Sequence, residues 1–273
     1  MSVRPTFVLV HGSWHDGECW SQVRRHLTAA GHRSVAPTLP GHAPGEDRAV
    51  VTHDDYVTAV AAALDPVRGP VVLVGHSFGG SVISRVAELR PERCAGLVYY
   101  SAFVPRDGER VADSLPAAMV EFLDAAATAS ADGSIALPYE LFRDGFANSG
   151  DEATARKLHR RLIPEPHGPI FETLSLPTAA RDAIPTSYVA CRHDRALPPG
   201  SFHPGQSGRL RSAALIEIDG DHETLLTAPQ RFAWALLESV RPDQRSSRLG
   251  AGAVERAGTR GAVGGGRDER RAA

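Results

Sequence analysis

The segment Val71-Val72-Leu73-Val74-Gly75-His76-Ser77-Phe78-Gly79-Gly80-Ser81 constrains this chain more than any other. A short aliphatic run passes into Gly-x-Ser-x-Gly and then into a helical pattern from Val82 to Leu89. A buried strand that turns abruptly into a helix holds its turn serine in a strained conformation. The residues around that serine must lie close to the neighbouring strand and helix, where a Cβ would clash, so they are glycines. The helix also aims the positive end of its dipole at the turn, where it favours negative charge. Alone, Gly-x-Ser-x-Gly says little, because small residues are common in turns. Between a strand and a helix, it marks Ser77 as a nucleophile raised on a tight elbow.

Such an elbow needs a parallel sheet to sit on. Further apolar runs occur at Thr6 to Val10, Gly96 to Tyr100, Thr186 to Cys191 and Ala213 to Ile218, with a weaker one at Arg33 to Ala36. Runs this short, apolar on both faces, suit strands covered on both sides. Helical patterns lie between them, at Cys19 to Ala30, Asp55 to Leu64, Val82 to Leu89 and Gln230 to Val240, with Gly31, Pro66 and Pro91 as stop signals. Strands alternating with helices specify a doubly wound α/β sheet with right-handed crossovers.

From 105 to 184 the rhythm stops. Helical patterns around Ala117 to Ala127 and Asp151 to Leu162, with the bulky Phe142, Phe146, Leu162 and Phe171, read as a helical cap insertion, a separate domain being the alternative. The expected organisation is a core of residues 1–104 and 185–242, a cap over 105–184, and a tail over 243–273. The tail, rich in Gly, Ala, Arg and Ser, is expected to be disordered for want of apolar area.

A formal net charge of −2 gives no global field toward nucleic acid or an anionic membrane. No apolar run nears the roughly 20 residues of a bilayer span, and no secretory pattern is visible, so the expected location is the cytoplasm. Three cysteines without a CxxC argue against a disulfide framework or a zinc site and read as buried thiols.

A serine hydroxyl needs an adjacent base. His222 stands just beyond the run Ala213 to Ile218, where a base late in the chain belongs. His11, His15, His76 and His193 are its competitors. The acid that would orient it is Asp194, past the end of Thr186 to Cys191, with Asp107 the alternative and Asp221 too close in sequence to reach back to the ring. Two backbone N–H groups should face the developing oxyanion, from Phe78 and from Ser13 in the loop after the first strand, where Gly12 permits a tight backbone. No metal or organic cofactor is needed.

With these positions in hand, FVLVHGSWHDGECW, LVGHSFGG, YYSAFVP, YVACRHDRALP and GDHETLLTAPQ resemble, in order, a small α/β-hydrolase family. It includes plant methyl esterases, plant hydroxynitrile lyases and bacterial esterase-like proteins. The resemblance runs from about Thr6 to Val240 and takes in the segment LFRDGFANSGDEATARKLHRRLIPEP. It implies the α/β-hydrolase fold with a six-stranded core. It implies Ser77, Asp194 and His222 as a triad, with the N–H groups of Ser13 and Phe78 as the oxyanion hole. The lyase members differ where this chain has Gly12, Phe78 and Glu223, carrying threonine, cysteine and lysine; a negative Glu223 is the wrong sign for holding cyanide.

The expected activity is therefore hydrolysis of a small or medium carboxylic ester through an acyl-enzyme, with Gly12, Trp14, Phe142 and Phe146 contacting the substrate. A lyase, cyclase or dehydratase using His222 as base without a covalent step is the alternative, and a non-catalytic receptor is the third reading. The partner is a small-molecule ester, not nucleic acid or membrane; a homodimer is left open.

Overall fold

Alternate side chains along each central strand point to opposite faces of one sheet, and helices cover both faces. The computed structural model describes residues 4–240. The expected tail therefore lies outside the described residues. The strands are β1 (Thr6–Val10), β2 (Ser34–Val35), β3 (Val71–His76), β4 (Cys94–Tyr100), β5 (Ser134–Ile135), β6 (Glu165–Pro166), β7 (Thr186–Cys191) and β8 (Ala213–Ile218). The helices are α1 (Ser21–Ala29), α2 (His53–Leu64), α3 (Gly79–Leu89), α4 (Ala117–Ala129), α5 (Tyr139–Leu141), α6 (Glu152–His159), α7 (Gly168–Phe171), α8 (Thr224–Thr227) and α9 (Pro229–Ser239).

The sheet is parallel throughout, in the order β2-β1-β3-β4-β7-β8. This is the expected doubly wound α/β-hydrolase fold, with six strands. Val8, Val10, Leu73, Leu97 and Tyr99 face one side, with Tyr56, Val60, Val82 and Ile83 of α2 and α3. Phe7, Leu9, Val72, Val74 and Val98 face the other, with Val23 and Leu27 of α1 and Phe232 and Leu236 of α9. Each such side chain, taken fully from water, contributes about 1.5–3 kcal/mol before entropy.

β8 departs from the expectation of two apolar faces. It is an edge strand, and Leu215 is 42% exposed. α2 starts at His53 rather than Asp55 because Thr52 and Asp55 form a reciprocal capping box. Cys94 is only half-buried; Cys19 and Cys191 are buried, and all three are free thiols.

Between β4 and β7 the chain carries α4 to α7, as the helical pattern anticipates, but also an antiparallel ribbon in which Ser134 pairs with Pro166 and Ile135 with Glu165. Strands of two residues leave no periodicity to read. Side chains of this segment, including Leu123, Phe142, Ala155, Leu158 and Ile170, join the core cluster on the α2–α3 side.

β3 and α3 meet so tightly that a Cβ on Gly75 would lie 2.5 Å from the carbonyl oxygen of Gly79. Backbone surrounds that point and cannot yield. Gly75→Ala should therefore lower stability by about 1–3 kcal/mol, read as a reduced urea midpoint; an unchanged midpoint would show that β3 and α3 are not locked there.

Candidate active site

Ser77 follows β3 directly, at φ +50°, a left-handed conformation rare for a residue with a side chain. Its peptide groups are held on both sides. The Ser77 N–H donates to the Tyr100 carbonyl at 3.1 Å, and the Ser77 carbonyl accepts from the N–H of Gly80 at 3.1 Å and of Phe103 at 3.0 Å. A Cβ on Gly12 would come 2.8 Å from Ser77 Cβ, so the loop after β1 lies directly against the serine.

His222 comes from the loop after β8 and Asp194 from the loop after β7. The His222 Nδ1–H donates to Asp194 Oδ2 at 2.8 Å. Both side chains are almost fully buried. The backbone of His222 is fixed as well, because its carbonyl accepts from Tyr100 Oη–H at 2.7 Å and from His76 Nε2–H at 3.1 Å. Burial disfavours the imidazolium, but the charge and hydrogen bond of Asp194 outweigh it and raise the His222 pKa above the ordinary 6.5. Among the described residues, His222 Nε2 is buried with no hydrogen-bond partner. The ring is flanked by Phe202, Phe146 and the ring of His76, Ser77's own neighbour, at 4.6 Å between centroids. An imidazole so oriented has its proton on Nδ1 and its lone pair on Nε2, and can accept a proton from a hydroxyl.

Of the competing residues, His11, His15, Asp107 and Asp221 are engaged elsewhere. Leu39 N–H donates to His11 Nε2, and His11 Nδ1–H donates to the Gly12 carbonyl. Burial, reinforced by His42, pushes the His11 pKa well below its usual value; burial and then His222 do the same to His76. His15 is paired with Glu223 at 3.1 Å. Asp107 accepts from Leu176 N–H, and Asp221 from Ser149 N–H and Glu223 N–H.

Ser77 opens on a cavity whose lining is mostly apolar. Ser13, Trp14, Phe78 and Phe146 line it with Ser77, as do Phe103, Phe202 and, from the segment between β4 and β7, Leu115, Met119, Leu123 and Ile170. No charged side chain does so. The backbone N–H groups of Ser13 and Phe78 have no acceptor among the described residues. Two expected substrate contacts lie elsewhere. Phe142 is fully buried behind Phe146, stacked on it at 6.2 Å, and Gly12 sits behind Ser77. Phe202 and Phe103 line the cavity although neither is among the substrate contacts expected from the sequence. No group of three or more His, Cys, Asp or Glu among the described residues is placed to hold a metal ion.

Residues 7–236 match the model of a family described as the alpha/beta hydrolase family. The chain is 42% identical over 120 residues to a carbendazim hydrolyzing esterase from Nocardioides sp. (strain SG-4G), a match covering 41% of this chain and 48% of that protein. It is 28% identical over 262 residues to salicylic acid-binding protein 2 of Nicotiana tabacum, covering 85% of this chain and 95% of that one. Among solved structures, an extracellular alpha/beta-hydrolase from a Paenibacillus species, described as sharing structural and functional homology with the tobacco protein, superposes with a TM-score of 0.83 at 36% identity, covering 87% of this chain and 100% of that chain.

The Asp194–His222 bond predicts the titration of the imidazole. By NMR, the His222 ring should titrate above 6.5, and in Asp194→Asn, where burial and the charge of His15 are opposed only by the smaller effect of Glu223, below it. Equal midpoints in the two proteins would contradict the coupling.

Proposed function

The chain belongs to the alpha/beta hydrolase family, and from that premise we propose that it cleaves a small or medium carboxylic ester through an acyl-enzyme on Ser77. Ser77 Oγ attacks the ester carbonyl while His222 Nε2 takes its proton. The tetrahedral oxyanion is met by the N–H groups of Ser13 and Phe78, donors that typically contribute about 3 kcal/mol each to the barrier. His222 returns the proton to the leaving alcohol. It then activates a water that releases the acid. One observation carries this reading. A buried imidazole has its outer nitrogen on a carboxylate and its inner nitrogen free, and its ring packs on Phe146 and Phe202, which line the same cavity as a serine on a strained elbow.

We read 105–184 as a cap on a core of 1–104 and 185–242. The apolar side chains it brings to the cavity favour a neutral ester with apolar acyl or alcohol parts. The relatives named as esterases support hydrolysis, although the carbendazim hydrolyzing esterase is matched over only 48% of its length. A relative named alpha-hydroxynitrile lyase, from Arabidopsis thaliana, is 29% identical over 248 residues. Against lyase chemistry here, a side chain at position 12 would clash with Ser77, and Glu223 is buried and paired with His15. No helix among the described residues is long and apolar enough to cross a membrane. A cytoplasmic location and a homodimer belong to the proposal and are tested by cell fractionation and sedimentation.

Turnover of p-nitrophenyl acetate should fall at least about 1,000-fold in Ser77→Ala. The wild-type rate should rise with pH through a midpoint above 6.5, because the base must be neutral and its pKa is raised. Labelling of Ser77 by a fluorophosphonate with no turnover of any ester would overturn the esterase reading.

A further inference from the structure

The loop Ser13-Trp14-His15 would supply one of the two N–H groups at the reacting oxygen, and its backbone is not relaxed. Trp14 sits at φ +64°, a region a bulky residue rarely enters without being held there. The peptide unit joining Ser13 to Trp14 is gripped at both ends. Its N–H donates to Glu165 Oε2 at 3.0 Å. Its carbonyl accepts from His15 Nδ1–H at 2.8 Å, and His15 Nε2–H in turn donates to Glu223 Oε2 at 3.1 Å.

Glu165 and Glu223 are both fully buried, and neither lines the cavity. Glu165 reaches in from β6 and also accepts from Tyr56 Oη–H at 3.1 Å and His42 Nε2–H at 2.9 Å. Glu223 is the residue after His222. Burying two acids is costly unless each holds something in place. Glu165 directly, and Glu223 through His15, converge on one peptide plane, next to the N–H proposed to meet the oxyanion.

We propose that Glu165 and Glu223 are positioning residues that lock this peptide plane from opposite sides, so that the Ser13 N–H, and not that of Trp14, faces the substrate carbonyl oxygen. The proposal rests on the esterase reading above. The Glu223 side of the clamp requires a doubly protonated His15, which donates from both ring nitrogens. Burial opposes that charge, yet Glu223 raises the His15 pKa to about 9. The other groups facing His15 are Asp16 beside it, His11, His76 and His222, and Cys19 and Arg161 in the same recess. Burial pushes Cys19 well above the usual thiol range and His11 and His76 well below the usual imidazole range, which leaves His15 to titrate near 9.

The test uses the full chain and the isosteric Glu165→Gln and Glu223→Gln. For each, kcat and KM are measured on p-nitrophenyl acetate, along with the Ki of a trifluoromethyl ketone whose adduct with Ser77 places an oxyanion in the hole. In each variant kcat should fall roughly 10- to 100-fold, KM should stay within about threefold, and Ki should rise by the factor lost in kcat. In the wild type kcat should decline as pH rises through about 9. That limb should persist in Glu165→Gln and disappear in Glu223→Gln. A merely structural role would not move Ki with kcat or the alkaline limb. A variant with native near-ultraviolet circular dichroism, wild-type kcat and wild-type Ki overturns the clamp. So does a folded wild type whose rate stays flat well beyond 9, the arm that decides if both variants fail to fold. Failure of the esterase reading shows separately, as wild-type protein with no Ser77-dependent turnover.

Discussion

The hydrogen bond between Asp194 and His222 is the interaction on which the rest of the site depends. Inside an apolar enclosure an unpaired imidazole would be free to rotate and would lose basicity to desolvation. Asp194 prevents both. The sheet is what makes the bond available. β7 and β8 are parallel neighbours in a register that ends with Cys191 opposite Ile218, so the loops carrying Asp194 and His222 leave the sheet side by side. Residues 28 apart in sequence thus meet at 2.8 Å.

Tyr100, at the end of β4, ties this pair to the nucleophile. Its backbone carbonyl holds the Ser77 N–H and its hydroxyl holds the His222 carbonyl. Elbow and base are therefore referenced to one residue in the middle of the sheet, and the relation between them does not rest on flexible loops alone. Four of the buried histidines around the site fall into two groups. His11 and His76 are kept neutral by burial and serve as struts. His15 and His222 each have a carboxylate partner that raises the pKa. Of the latter two, His222 keeps a ring nitrogen free, which gives it the role of base.

Much of the fold was readable because buried parallel strands write themselves as continuous apolar runs. Thr6–Val10, Thr186–Cys191 and Ala213–Ile218 match their runs at both ends. The elbow was readable because its glycines answer a steric demand at fixed spacing. What escaped was whatever depends on long-range packing. The ribbon at 134–135 and 165–166 is too short for any pattern, so nothing in the sequence marked Glu165 as buried and bonded to Trp14. In the sequence Glu223 counts only as a charge of the wrong sign for cyanide, and its partner His15, 208 positions away, gives it a different meaning. Phe142 and Phe146 were indistinguishable as bulky residues four apart; the wide turn they share sends Phe146 to the cavity and Phe142 to the core.

The covalent step is the heart of the proposed chemistry, and it can be seen directly. Protein quenched in acid during steady-state turnover of p-nitrophenyl butyrate, digested and weighed by mass spectrometry, should carry one butyryl group on the peptide containing Ser77. In His222→Ala that adduct should be lost together with turnover. Turnover that proceeds with no acylated peptide, or with the acyl group on another residue, would contradict nucleophilic catalysis by Ser77.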